Sequence, residues 1–176
     1  MNRSLRLAVP ALTLALAATT AGTIAHAQPE TTVHIGQSTG SRTSVPRVAR
    51  DWIAGWNSPN PDRLARLFTT DATYTDNAVG VVWHGRTGVA DWKRRTDQFI
   101  PGVQLRLVNA FRDGDDVAIQ AVYSGQITGA PRPFSVPATA ILKLRHSLIA
   151  TDTDYYNLAA VLAQSGLPAD WTPPGS

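Results

Sequence analysis

Residues 104–156 read QLRLVNAFRDGDDVAIQAVYSGQITGAPRPFSVPATAILKLRHSLIATDTDYY, and this stretch decides the fold. Strand-like runs at 104–112 and 116–126 flank Asp113-Gly114, a pair that suits a tight hairpin because glycine enters the left-handed region freely. From 134 to 144 apolar residues alternate, with Phe134, Val136, Ala138, Ala140, Leu142 and Leu144 on one face of a half-buried strand. Pro137 has no N–H to offer a ladder, which predicts a bulge or an edge there. Residues 148–156 are the last extended run. Four strands in succession predict an antiparallel sheet.

Toward the N-terminus the period changes. Val45, Val48, Ala49, Trp52, Ile53 and Trp56 recur at helical spacing on one apolar face, in a helix opening near Ser44 with Pro46 in its first turn. Ser58-Pro59-Asn60-Pro61 ends it. Asn60 then caps a second short helix with Pro61 at its first position, burying Leu64, Leu67 and Phe68. Two short extended pieces follow, at 72–76 and 79–83. Thr87 caps a third helix with Val89, Trp92, Thr96 and Phe99 on one side, stopped by Pro101-Gly102. After the last strand, Leu158, Val161 and Leu162 start a final helical turn or two, closed by Gly166-Leu167-Pro168. Helices first and strands grouped predict an α+β fold. The expected architecture is a curved antiparallel sheet wrapped around N-terminal helices, a cone-shaped barrel with an internal pocket.

The chain ends carry other signals. Arg3 and Arg6 precede an apolar run from Leu7 to about Ala21, and Ala25-His26-Ala27 is a small-x-small cleavage box. Residues 1–27 therefore read as a secretory signal peptide and the protein as secreted, extracellular or periplasmic. Pro10, Thr13, Thr19, Thr20 and Gly22 break the run, against a membrane anchor, and no membrane contact is expected after cleavage. Residues 28–43 read as a flexible leader, 44–168 as one domain and 169–176 as a flexible tail. Cleavage leaves roughly 150 residues, enough for one core and a pocket. The chain has no Cys, which removes disulfides, zinc-thiolate sites and thiol nucleophiles together.

The pI near 9.7 overstates the basic character, since two of the 16 basic residues lie in the signal. Lys93-Arg94-Arg95 is the sole basic run after it, on a helix shared with Asp91 and Asp97, and reads as a solvated mixed face. No nucleic-acid partner is expected. There is no Gly-rich phosphate loop, no nucleophile elbow and no His pair at metal-ligand spacing, so neither a cofactor nor a metal is expected.

Four segments carry a family resemblance. They are Trp52-Ile53-Ala54-Gly55-Trp56-Asn57 with Leu64 and Leu67-Phe68; Asp71-Ala72-Thr73-Tyr74-Thr75-Asp76; His84-Gly85-Arg86-Thr87-Gly88-Val89 with Trp92; and Ile149 with Asp154-Tyr155-Tyr156-Asn157 and Gln164-Ser165-Gly166. In order and spacing the chain resembles the SnoaL-like polyketide cyclases of the nuclear transport factor 2-like (ketosteroid isomerase-like) superfamily, over about residues 45–168. The last hairpin of that family usually turns on Gly, where this chain has Arg145-His146-Ser147. The family's closing Asp-x-x-Asp ends here in Asn157, leaving Asp154 as its acidic member.

The resemblance implies that Asp154 is a general acid/base for aldol-type ring closure. Its strand supports a related geometry: Asp152, Asp154 and Tyr156 share a face, with the two aspartates about 7 Å apart along the strand. An ordinary Asp titrates near about 3.9, and burial beside aromatics and a like charge would raise it into proton-shuttling range. His84, near the rim of the expected cavity, and Asp76, on the face of Tyr74, are candidate catalytic helpers. Asn57, Trp56, Tyr74, Trp83, Tyr123, Asp152 and Tyr156 are candidate substrate-binding residues. Helix capping by Asn57, a turn at Asp76 and core packing of the aromatics are the alternative roles.

Three functions fit this reading. One is a cofactor-free cyclase, isomerase or dehydratase acting on a small, largely apolar or aromatic molecule. The second is a carrier with the same cavity. The third is a module that forms homodimers through the open face of its sheet. A carboxylate at the cavity floor marks the first, an apolar lining alone the second, and a filled core the third.

Overall fold

The structure is a computed structural model that describes residues 44–172. The expected signal peptide, the leader and the last four residues lie outside the described residues. The elements are α1 (Arg47–Trp56), α2 (Pro61–Ala65), β1 (Phe68–Asp76), β2 (Val81–His84), α3 (Gly85–Phe99), β3 (Gln104–Asp113), β4 (Asp116–Gly125), β5 (Phe134–Arg145), β6 (Leu148–Tyr156) and α4 (Leu158–Ser165).

The strands form one curved sheet in the order β2-β1-β6-β5-β4-β3. Neighbours pair antiparallel with one exception: β1 and β6 run parallel. The sheet is therefore mixed rather than wholly antiparallel. Its edges, β2 and β3, do not meet, so the cone stays open. Parallel pairing joins strands distant in the chain, and no hairpin signal announces it.

Local chemistry explains most boundaries. Asn60 Oδ1 accepts from the Asp62 amide at 3.0 Å and caps α2, whose first residue is Pro61. Asn157 caps α4 in the same way, accepting from the Ala160 amide at 3.0 Å. Gly166 ends α4 in the left-handed region at φ 75°, where an added Cβ would stand 2.8 Å from Pro131. The β3–β4 hairpin turns on Gly114 at φ 55°. The β5–β6 hairpin turns on His146 and Ser147, at φ 51° and 67°, a conformation that side chains bearing a Cβ resist.

Several expectations are corrected. Phe68 leaves the second helix and opens β1, fully buried. β1 is irregular there: four residues separate Phe68 from Thr73, against one between their partners on β6. The third helix begins at Gly85 rather than near Thr87, with His84 at its N-cap. Of the two expectations for Pro137 the edge is the one observed: it pairs with Val122 on one side without a bulge, and β6 ends opposite Ala138 on the other. Lys93 is not on a solvated face. It is 1% exposed, its Nζ bonds both carboxylate oxygens of Asp97 at 2.5 and 2.6 Å, and it lies 5.9 Å above the Trp56 ring. The i,i+4 spacing lets Asp97 follow the ammonium inward. Trp171, in the stretch expected as tail, packs on the cluster of Ile127, Phe134, Val161 and Leu162.

The larger core lies between the helices and the sheet, around Trp52, Leu64, Phe68, Tyr74, Ile119, Leu142 and Ile149. The smaller core gathers α4 and the β4–β5 connection. Tyr123 touches both. No helix among the described residues is long and apolar enough to cross a membrane.

Candidate active site in the cone

Between the two cores lies a cavity of about 540 Å³ with mostly apolar walls. This is within the usual range for small-molecule sites. Trp56, Tyr74, Trp83, Tyr123 and Tyr156 line it, with Asp76 and Asp154 among them. Its outer wall adds Trp92, Phe99, Val161, Leu162 and Trp171, which the sequence marks only as core or tail. Trp92 and Phe99 carried a signal in the apolar side of α3. Trp171 carried none, since a residue beyond a closing Gly-Leu-Pro gives no period to read.

The parallel pairing of β1 with β6 builds the polar floor. It sets Tyr74 beside Asp152 and Asp76 beside Asp154. Alternation puts these four and Tyr156 on one face. The Tyr74 hydroxyl donates to Asp154 Oδ2, one step along the neighbouring strand. The Tyr156 hydroxyl donates back to Asp76 Oδ2 at 3.1 Å. Asp76 Oδ1 also accepts from the amides of Ala78 and Val79 at 3.0 and 3.2 Å, so Asp76 shapes the turn and faces the cavity at once.

Asp152 is fully buried and lies outside the cavity lining, behind Asp154. Its Oδ2 accepts from Trp52 Nε1 at 2.7 Å. Neither Asp152 Oδ1 nor Asp154 Oδ1 receives a protein N–H or O–H. The two carboxyls are neighbours on one face of β6 and raise or lower each other's titration, and a proton held between them would supply the missing donor. Burial pushes Asp152 up to about 7, against the opposing bonds from Trp52 and Asp154. Burial, then the charge of Asp152, holds Asp154 well above the usual carboxylate range. Burial also raises Asp76, partly offset by its amide and Tyr156 donors. Burial and the nearby aspartates raise the Tyr74 phenol well above its ordinary value, so it remains a neutral donor. A carboxyl pair holding one proton can give it up or take it back near neutral pH.

Besides Asp152, two more candidates fall outside the cavity lining. β2 turns Val81 and Trp83 inward, and strand alternation therefore turns His84 out. His84 is exposed, with Nδ1 3.5 Å from Thr73 Oγ1. The Asn57 amide is spent on the backbone of Leu105, donating to its carbonyl at 2.9 Å and accepting from its N–H at 2.7 Å. It ties the C-terminal end of α1 to β3. Asn157, where the family often keeps a second Asp, is the α4 cap, so a carboxylate there would stand at a helix start. Asp76 and Asp152 are the acidic neighbours of Asp154 instead. Among the described residues no group of three or more His, Cys, Asp or Glu is arranged to hold a metal ion.

A curved α+β sheet closed on one side by helices, with an apolar cavity and a carboxylate floor, defines the class: the nuclear transport factor 2-like, ketosteroid isomerase-like fold. Within it the chain belongs to the SnoaL-like domain family, whose profile matches residues 49–151. A protein of ketosteroid isomerase-like fold from Catenulispora acidiphila, solved in complex with trimethylamine, is 48% identical. That match covers 74% of this chain and 100% of the other, with a TM-score of 0.73. A candidate polyketide cyclase from Xanthomonas campestris is 23% identical over 67% of this chain and 93% of its own, with a TM-score of 0.60. A phenazine biosynthesis-related protein from Pseudomonas aeruginosa is 15% identical over 74% and 92%, with a TM-score of 0.59. The latter two share the fold. No curated protein matches the chain.

Proposed function

We propose that this chain is an exported SnoaL-like protein that binds a small molecule of largely apolar body in the cone. Its chemistry is cofactor-free proton transfer, as in aldol-type cyclisation, isomerisation or dehydration, with Asp154 as the acid/base. The observation that carries this reading is the placement of Asp154: on the cavity wall, hydrogen-bonded by Tyr74, and backed by the buried carboxyl of Asp152. Asp76 is the second carboxylate facing the ligand. The Catenulispora acidiphila protein, at 48% identity, was solved in complex with trimethylamine, which supports small-molecule binding.

Titration with a panel of aromatic and polycyclic compounds tests binding, because Trp56 and Trp83 line the cavity and their fluorescence should change to saturation. On any substrate so found, Asp154→Asn should lower turnover about 10²–10⁴-fold, the usual share of general acid/base catalysis. Unchanged turnover overturns the catalytic role. Export is tested separately by mass spectrometry of the protein from medium or periplasm: an N-terminus at Gln28 is expected, and retention of Met1 rejects it.

A carrier is the second reading, and one observation favours it. The two cavity hydroxyls best placed to stabilise an oxyanion, Tyr74 and Tyr156, are already committed to Asp154 and Asp76. A dimerisation module with a filled core fits poorly with the cavity.

A further inference from the structure

The floor of this cavity is acidic. Asp76 and Asp154 face it and Asp152 lies directly behind, yet none of the ion pairs among the described residues includes any of the three. Lys93, the buried lysine nearest the aromatic wall, is already held by both oxygens of Asp97. Arg95 also lines the cavity, with its guanidinium 5.5 Å from the Phe99 ring centre. The Tyr74 and Tyr156 hydroxyls point their protons at Asp154 and Asp76, so the floor presents acceptors to a ligand.

The walls suit the same kind of guest. Trp83 and Trp92 stack with ring centres 6.1 Å apart, and Tyr123 and Tyr156 meet at 5.2 Å. Aromatic faces carry negative quadrupole density and attract a cation whose hydration is weak enough to shed. Methylated ammonium groups are such cations, and their methyl surfaces also gain from leaving water. A neutral apolar ligand would use the walls and gain nothing from the negative charge of the floor. At about 540 Å³ the cavity has room for an organic body attached to that charge.

We propose that the ligand of this cavity is an organic ammonium ion: a tertiary or quaternary amine carrying an apolar body, its charge held over Asp154 and Asp76 and its methyl groups against Trp83, Trp92, Tyr123 and Tyr156. The proposal rests on the reading of the cone as a small-molecule site and names the charge of its occupant. Binding of the cation favours ionised carboxylates, so a proton held by Asp152 or Asp154 leaves for solvent as the ammonium enters. No bond forms or breaks beyond that transfer.

Matched probes test it on the purified protein at constant ionic strength. Tetramethylammonium is compared with tert-butanol, and benzyltrimethylammonium with dimethyl benzyl carbinol, each neutral alcohol having nearly the bulk of its cation. Tryptophan fluorescence and calorimetry read the affinities. Each cation should bind at least tenfold more tightly than its neutral partner. Asp154→Asn should remove most of that preference while leaving the neutral probe's affinity within about twofold; Asp76→Asn is the second variant, should the first fold poorly. Neutral probes binding as tightly as their cations, or cation binding insensitive to both substitutions, would overturn the proposal. Saturable binding of neutral aromatics with no cation preference defeats this inference and leaves the small-molecule reading standing. Saturation by no compound of either kind defeats both.

Discussion

Trp52 Nε1 donates to Asp152 Oδ2 at 2.7 Å, and the two residues stand 100 positions apart in the chain. This contact ties α1 to the strand that carries Asp154 and gives the fully buried Asp152 a protein N–H donor. A donor to the charged form lowers a carboxyl's pKa, so the indole works against burial. Trp52→Phe should keep much of the packing and lose that bond. Asp152 should then titrate above its present value of about 7. Asp154→Asn should move it the other way, since the new amide can donate to Asp152 and no longer competes as an anion. Carbon-detected NMR titration of the carboxyls measures both shifts, and an Asp154 that titrates in the ordinary range near about 3.9 would contradict the raised value.

Stability should fall as the pH rises toward neutrality. Asp152, Asp154 and Asp76 all have folded-state pKa values above the unfolded one. Below about pH 4 both states are protonated and the stability is fully present. Between there and about pH 7 the unfolded chain ionises first, so unfolding releases protons and is favoured by each rise in pH. The loss over that window should be on the order of 2–4 kcal/mol, and Asp152→Asn should flatten it. Urea denaturation at several pH values tests this. A protein less stable at about pH 5 than at about pH 7 would contradict the sign.

The hairpin between β5 and β6 turns on two residues in the left-handed region, neither of them glycine. Ser147 lies at φ 67°, so Ser147→Gly relieves a conformation that costs an L-residue about 1 kcal/mol. The glycine also gives the unfolded chain more freedom, which reduces the gain. The melting temperature should rise by a few degrees or less. Ser147→Val should lower it, because a β-branched side chain fits that region worst. A drop with glycine would show that the serine side chain makes a stabilising contact.

Lys93 is buried at 1% exposure while Asp97 remains partly exposed. Removing Asp97 strands an ammonium ion beside Trp56; Asp97→Ala should cost on the order of 2 kcal/mol. Lys93→Met keeps the length and removes the charge to be desolvated, so it should be close to neutral. Chemical denaturation of both variants separates the two. Equal losses would mean that the ion pair itself, rather than the avoidance of a stranded charge, stabilises this site.

The sequence by itself determined the local part of this protein. Helical period marked the apolar face of α1, Asn60-Pro61 its neighbour's start, and Asp113-Gly114 a hairpin, because each of these choices depends on residues within one turn of chain. Alternation in β6 also set Asp152, Asp154 and Tyr156 on one face before any partner strand was known. The tertiary structure alone decided what those residues face. Parallel pairing brought Tyr74 and Asp76 beside them from about eighty residues away. Helix α1 delivered Trp52 to Asp152, alternation in β2 turned His84 out of the cavity, and the folded-back C-terminal stretch added Trp171 to its wall. Side-chain period is a property of the backbone and can be read along the chain. Burial, hydrogen-bond partners and the charge of a cavity are properties of neighbours, and a neighbour eighty or a hundred residues away leaves no mark on local spacing.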